Sequence, residues 1–318
     1  MLGGDAEPQW DPTDPNLLYW IQNDGTGCQL NLLNVASGAN VQTWSFASLL
    51  PWLGVMYCWT QSEGSPSKDR RYWAFEVEDV NFNELGFFVW DRIANPIVGT
   101  YAGPLLTQGR RPDHLSMSPS GNYVVVSWDV YPPRVAAFER NFHNAQVIVP
   151  TNGEHSNVAI DANGDDTYVP VDYASSDGSV YRYNLRTGVR TELFPTYLTG
   201  TATAMHFSDK AFNQSGWVAM STYADYSTSG TPPGQSQQWL HKKVFIVQLA
   251  GSPKIYQVAM TEQVDVNTRL NTDPNAPYWD EPHASTNLDM TRIVWNSNWA
   301  LPNDTMDVHT VELPAGAV

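Results

Sequence analysis

The stretch DHLSMSPSGNYVVVSW, residues 113–128, decides how the chain reads. His114 opens it, a short apolar segment follows, a Ser-Pro-Ser-Gly-Asn run at 118–122 breaks the chain, and Tyr123–Trp128 resumes in strand-favouring residues. Pro and Gly punctuate while Val, Tyr and Trp fill a pleated surface, so the stretch predicts a hairpin. The same pattern recurs in EPQWDPTDPNLLYWI (7–21), SEGSPSKDRRYWAFEV (62–77), EHSNVAIDANGDDTYVPV (154–171), MHFSDKAFNQSGWVAM (205–220) and EPHASTNLDMTRIVWN (281–296). This is one unit written six times.

A second signature follows each hairpin, as in CQLNLLNVASGANV (28–41), GFFVWDRIANPIV (86–98) and SVYRYNLRTGVRTELF (179–194). In the last of these Val180, Arg182 and Asn184 alternate with Tyr181, Tyr183 and Leu185, the period of two of a half-buried strand. Each repeat therefore predicts about four antiparallel strands. The repeats start at Glu7, Glu63, His114, His155, His206 and His283, and the intervals between the last five are 51, 41, 51 and 77 residues. Most fall near the length of a propeller blade, ~40–50 residues. The excess in the longest interval is assigned to two turn-rich loops, 227–238 and 267–278.

The expected fold is all-β: a single β-propeller domain over residues 1–318, built of four-stranded antiparallel blades. Six repeats are visible, with room for a seventh in the long interval or at the amino terminus. Only SFASLLPWL (45–53) has the character of a helical turn or two.

Composition narrows the partners. Asp and Glu total 33 against 17 Lys and Arg, with no basic cluster, which argues against nucleic acid and anionic membranes. No apolar run reaches the ~20 residues that span a bilayer, so membrane insertion is not expected, and a monomer is the expected state. The opening MLGGDAEPQW lacks the basic and apolar regions of a secretory signal, and its abrupt start suggests that a signal peptide or a longer amino-terminal region has been removed. Few lysines, an acidic balance and 13 Trp fit a secreted or periplasmic protein. Cys28 and Cys58, 30 residues apart, are either one disulfide or two buried thiols.

Propeller geometry gives the histidines their meaning. The innermost strand of each blade lines a central channel, so equivalent positions converge at its mouth, and four of the seven histidines, His114, His155, His206 and His283, lie at or near that position. Neutral imidazoles there suit a divalent transition metal, with Glu281, Glu154 or Gln9 completing the shell and Gln9 aligned with His283 through a shared Glu-Pro. A histidine also suits direct proton transfer, its pKa lying near neutrality. The competing reading is a structural peg, in which each histidine ties loop to strand by bonding a Ser or Asp of its own repeat, a serine being at hand in HLS, HS, HFS and HAS. His241 and His309 read as strand residues and His143 as a loop residue.

Arg110 and Arg111, just ahead of His114, are candidates for clamping a substrate carboxylate, against the alternative of a solvated loop pair. Tyr173 and Tyr223 are candidate proton donors, and Trp239 and Trp299 candidate stacking surfaces for sugars. No G-x-G-x-x-G, P-loop, C-x-x-C pair, H-E-x-x-H or G-x-S-x-G motif occurs, which lowers the weight of nucleotide, zincin and serine-hydrolase chemistry.

From Glu281 to Pro314, EPHASTNLDMTRIVWNSNWALPNDTMDVHTVELP resembles the last blade of TolB-type propellers and of propeller polysaccharide lyases such as oligogalacturonate lyase. That resemblance implies a channel mouth where histidines and a glutamine hold a divalent metal that neutralises a uronate carboxylate while a base removes the C5 proton. His283 matches one metal-binding histidine; Glu281 stands where the family has another and Tyr278 where it has the glutamine. Propeller ulvan lyases, similar only in architecture, imply His and Tyr for proton transfer and Arg for charge neutralisation.

The leading expectation is a polysaccharide lyase cleaving an acidic, uronate-containing polysaccharide by β-elimination. Its catalytic candidates are His155, His206, Tyr173, Tyr223 and Arg111; Trp239, Trp299 and Arg110 bind substrate; His114, His206, His283 and Glu281 hold the metal, with Mn, Ca or Zn as candidates. The alternatives are a non-catalytic propeller binding carbohydrate or protein, and a metal-dependent hydrolase. A formal charge of −16 works against a polyanionic substrate unless the cleft is locally positive or metal-loaded.

Overall fold

A computed structural model describes residues 9–22, 27–60, 66–102, 112–128, 134–144, 146–149, 155–173, 175–198, 201–202, 205–222, 226–227, 239–261, 281–297, 307–314 and 316–318. The chain divides into two compact units, Met1–Glu154 and His155–Val318.

The first unit holds three four-stranded sheets, each an antiparallel meander with strands neighbouring in chain order. The first sheet comprises Gln9–Trp10, Leu17–Gln22, Gln29–Asn34 and Ala39–Ser45; the second, Tyr57–Trp59, Tyr72–Glu78, Glu84–Asp91 and Ile97–Tyr101; the third, Pro112–Met117, Tyr123–Trp128, Arg134–Glu139 and Gln146–Val149. The second unit holds a fourth sheet (Ser156–Ile160, Asp166–Pro170, Val180–Asn184, Arg190–Phe194) and a fifth (Met205–Ser208, Trp217–Thr222, Lys243–Gln248, Ile255–Met260). A sixth, three-stranded sheet (Ser285–Thr286, Arg292–Ser297, Asp307–Glu312) completes it. The six repeats are thus six sheets; the further pairing among the described residues is a short ribbon, Thr201–Ala202 with Tyr226–Ser227, which is no seventh blade.

The hairpin turns are where the sequence set them. In the opening stretch Gly121 adopts φ +74°, and a Cβ on it would stand 2.5 Å from the Tyr72 ring, so glycine answers both the backbone and the close approach. SFASLLPWL supplies a single 3-10 turn, Ala47–Leu49.

Packing explains why the strands are apolar on both sides. In the second sheet Trp73, Phe75, Val77, Phe88 and Trp90 join a core with the first sheet, while the alternate residues Ala74, Phe87 and Val89 join one with the third. The fifth sheet does the same, Val218, Met220, Phe245 and Val247 facing the fourth sheet and Ala219, Val244 and Ile246 the sixth. Successive side chains point to opposite faces, so a sheet sandwiched between two others must be apolar at both parities. The half-buried alternation expected for 180–185 is corrected on this ground: Val180, Tyr181, Asn184 and Leu185 are all buried, and Arg182 is held by Asp161 at 2.9 Å.

Three further expectations change. The second repeat does not begin at Glu63, since its first strand is Tyr57–Trp59, upstream of that residue. Gln9 pairs with Tyr19, the third residue of its neighbouring strand, as Ser285 pairs with Val294, so Gln9 shares its row with Ser285 and not with His283. His241 lies buried in the turn before Lys243–Gln248 rather than in the strand. The extra length of the long interval falls between the strands ending at Thr222 and beginning at Lys243, and between Met260 and Ser285, although 228–238 and 267–278 themselves lie outside the described residues.

The cysteine alternatives resolve to a Cys28–Cys58 disulfide, fully buried in the core shared by the first and second sheets. Among the described residues no helix is long and apolar enough to cross a membrane.

One buried acid makes the second sheet pH-sensitive. Glu84 lies directly across the strands from Glu78. Burial, and secondarily the Glu78 charge, push its pKa up to about 8. The folded form therefore keeps a proton that the unfolded form sheds near the ordinary carboxylate value, so stability is full at acid pH and falls as pH rises toward 8. Glu84→Gln should raise the melting temperature at pH 7.5 and leave it nearly unchanged at pH 4; an equal shift at both values would refute the assignment.

Candidate functional site

The three histidines of the second unit that precede or open an innermost strand come together. His206 is the second residue of Met205–Ser208 and pairs with Ser221. His283 stands two residues ahead of Ser285–Thr286, and His155 immediately ahead of Ser156–Ile160. The His206 and His283 ring centroids are 4.0 Å apart and tilted by 36°, and the His155 ring meets His206 edge-on at 4.7 Å. Tyr173 meets His155 edge-on at 6.3 Å.

Glu281 bridges the pair. Its Oε2 lies 2.8 Å from His206 Nε2 and 3.5 Å from His283 Nε2. His206 and Glu281 are buried and His283 is partly exposed, so the group has a dry back and an open side. Two imidazoles at this spacing repel when both are cationic, and one carboxylate offsets only one charge. Neutral imidazoles beside a carboxylate are the donor set that a divalent metal takes.

The backbone is bent to make this cluster. His155 and His283 adopt φ of +50° and +36°, the left-handed region that L-residues other than Gly, Asn and Asp seldom occupy. Such conformations cost ~1–3 kcal/mol each and persist only where the surroundings enforce them. Around His283 the enforcement is visible: Ala284 N–H donates to Ser221 Oγ (3.0 Å), Thr286 N–H to Ser208 Oγ (3.2 Å) and Asn296 N–H to the Pro282 carbonyl (2.8 Å). The serine after His155 also has another duty, Ser156 Oγ accepting from the Tyr168 hydroxyl at 2.6 Å. Serines thus anchor the site's backbone across sheets, a role the peg reading did not contain.

A divalent cation fits what is present. His206, Glu281 and His283 each offer one donor atom, all within 4.8 Å of one another. Two imidazole nitrogens and a carboxylate suit Zn or Mn better than Ca, which takes oxygen ligands.

Trp239 is 42% exposed and sits edge-on against Phe194 (5.6 Å) and Phe245 (5.7 Å), a rim aromatic on the core of the fourth and fifth sheets. His114 occupies Pro112–Met117, in the first unit and in the row His206 holds in its own sheet. Arg110, Arg111, Glu154, Tyr223, Tyr278 and Trp299 lie outside the described residues. His143 is exposed in a loop, as read, and the His309 ring stacks on Trp295 at 5.7 Å within a strand.

No protein-family model matches the chain, and no curated protein matches it. Solved structures do. The β-propeller domain of the Trilobed protease from Pyrococcus furiosus superposes with a TM-score of 0.51 at 7% identity, over 96% of this chain and 80% of that one. The fold is a β-propeller. TolB from Acinetobacter baumannii (TM-score 0.47, 12% identity, 94% of this chain) and oligogalacturonate lyase from Vibrio parahaemolyticus (0.42, 13%, 96% of this chain and 89% of that one) are among the propellers it is similar to. The chain spans 61% of the length of that TolB. Likeness at these identities extends to the propeller fold alone.

Proposed function

We propose that the second unit of this propeller carries a metal-assisted lyase site for a uronate-containing polysaccharide. The observation that supports it most directly is the His206, Glu281 and His283 donor set beside His155 and Tyr173. In this reading His206, His283 and Glu281 would hold the cation, which would supply Lewis-acid neutralisation of the substrate carboxylate. His155 takes the proton from C5, the released electron pair forms the C4–C5 double bond, the C4–O bond breaks, and Tyr173 protonates the departing oxygen.

The charge balance favours a metal over arginine in this role. All four described arginines of the second unit face acids: Arg182 with Asp161 (2.9 Å), Arg186 with Asp165 (2.6 Å), Arg190 with Asp172 (3.7 Å) and Arg292 with Glu312 (2.6 Å). The buried disulfide supports an oxidising, extracytoplasmic compartment, where such polymers occur.

Ultraviolet absorbance over a panel of uronate polymers tests the proposal. We expect a rising unsaturated-uronide signal that chelator abolishes and Zn or Mn restores; a flat trace across the panel rejects it. The same donor set, two imidazoles and a carboxylate with water in the fourth position, also serves catalytic zinc and supports a metal-dependent hydrolase as the second reading. New reducing ends without absorbance would select that alternative, and neither product would leave a non-catalytic binding propeller.

A further inference from the structure

Five of the six blade sheets end in a fourth strand, and the sixth ends in its third, Asp307–Glu312. Among the described residues no strand lies beyond it. Elsewhere the third strand is covered and largely buried, as Phe87–Trp90 and Val244–Val247 are. Here Val308 is 74% exposed, and Thr310 and Glu312 are exposed with it.

The free edge is regular. Leu313 N–H donates to the Thr291 carbonyl at 2.7 Å, and antiparallel bonding alternates, so Asp307, His309 and Val311 bond inward to the strand Arg292–Ser297. Val308, Thr310 and Glu312 therefore turn their N–H and C=O groups outward. All six residue pairs, from Arg292 with Glu312 to Ser297 with Asp307, follow one another without a break in register. In each four-stranded sheet the outermost pairing does break, after Leu32, Val89, Val135, Val180 and Val244. A bulge there twists an edge away from further pairing, and an edge lysine or proline has the same effect. Asp307–Glu312 has none of the three.

We infer that this edge is an interface between two copies of the chain, whose Asp307–Glu312 strands pair antiparallel about a two-fold axis at Thr310. The strand is self-complementary in that register. Val308 stands opposite Glu312, His309 opposite Val311, Asp307 opposite Leu313 and Thr310 opposite itself, so no like charges meet and a threonine pair sits on the axis. All three outward residues find partners. Moving the axis to Val311 sets Val308 against Pro314, which has no N–H. Moving it to His309 sets His309 against itself and carries Glu312 past Asp307, the end of the facing strand. The acid among the outward residues, Glu312, is already matched within its own sheet by Arg292 at 2.6 Å. Six paired residues make a small contact, so the dimer is weak and depends on concentration. The inference departs from the monomer expected of the sequence, and it does not depend on the lyase proposal.

Sedimentation equilibrium of the full chain over about 1–300 μM, the range of a weak interface, tests it. The mass should rise from monomer toward dimer across that range. Thr310 is exposed, so Thr310→Lys and Thr310→Glu should leave the fold intact, which melting temperatures equal to the parent's in dilute solution would verify. Each variant places two like charges on the axis and should weaken self-association about fivefold or more. An equimolar mixture of the two should restore the dimer, because lysine then faces glutamate, and only a register centred on Thr310 gives that rescue. A monomer at every concentration, a dimer indifferent to Thr310→Lys, or a mixture no better than either variant alone would each overturn the inference.

Discussion

Glu281→Gln should weaken binding of Zn or Mn by about 100-fold or more in isothermal titration, because loss of a ligand exceeds the 10–100-fold cost of losing an outer-shell partner. Glutamine keeps the size of the side chain and removes its charge, so the two imidazoles at 4.0 Å lose the anion that lies 2.8 Å from one and 3.5 Å from the other. His206→Ala and His283→Ala should act in the same direction, His206→Ala more strongly since its ring is the buried one. Under the lyase proposal the absorbance signal falls with metal occupancy in all three. His143→Ala, in an exposed loop, should change neither. Metal affinity that survives both Glu281→Gln and His206→Ala would show that the cluster is structural.

The second large effect concerns the disulfide. Cys28 and Cys58 close a loop with a sequence separation of 30. Chain-entropy arguments put that closure at about 3.5 kcal/mol, so the double Cys→Ser variant should lower the melting temperature by about 5 °C in calorimetry. Both sulfurs are fully buried, so mild reductant should leave the native protein intact and act only through unfolding. A Ser variant that melts with the parent would mean that the surrounding aromatic core, with Phe46 at 5.2 Å from both Phe75 and Phe88, holds the first two sheets unaided.

The fold was legible because its turn chemistry repeats. Ser118 and Asn287 open turns in which their N–H groups bond back across the hairpin, and His114 and His283 each stand four residues ahead of them. The start of the second repeat is hard to read because its first strand, Tyr-Cys-Trp, carries no histidine to mark it. In the fourth repeat the residue four ahead of Asp161 is Asn157, whose amide donates to the Phe207 carbonyl at 3.4 Å, while His155 stands six ahead.

The site was legible in part for the same reason. His206 and His283 followed from the shared row and Glu281 from the motif around it. The left-handed backbone at His155 and His283 was not, because nothing in a histidine announces a positive φ as glycine does. Nor were Ser221 and Ser208 as anchors, since the residues they hold are 63 and 78 positions away. Such long-range bonds exist only once neighbouring sheets are packed.

The double-faced sheets carry a consequence for how such a chain can grow or shrink. Trp73 and Phe75 look one way and Ala74 the other, so the second sheet completes the interiors of two neighbours at once. Deleting or inserting a single strand would leave an apolar face against water on each side of the change, whereas gaining or losing a whole four-stranded repeat replaces one matched pair of faces with another. Descent by duplication of entire repeats is therefore the path open to this architecture, and a histidine at the head of one strand is copied along with the strand that presents it.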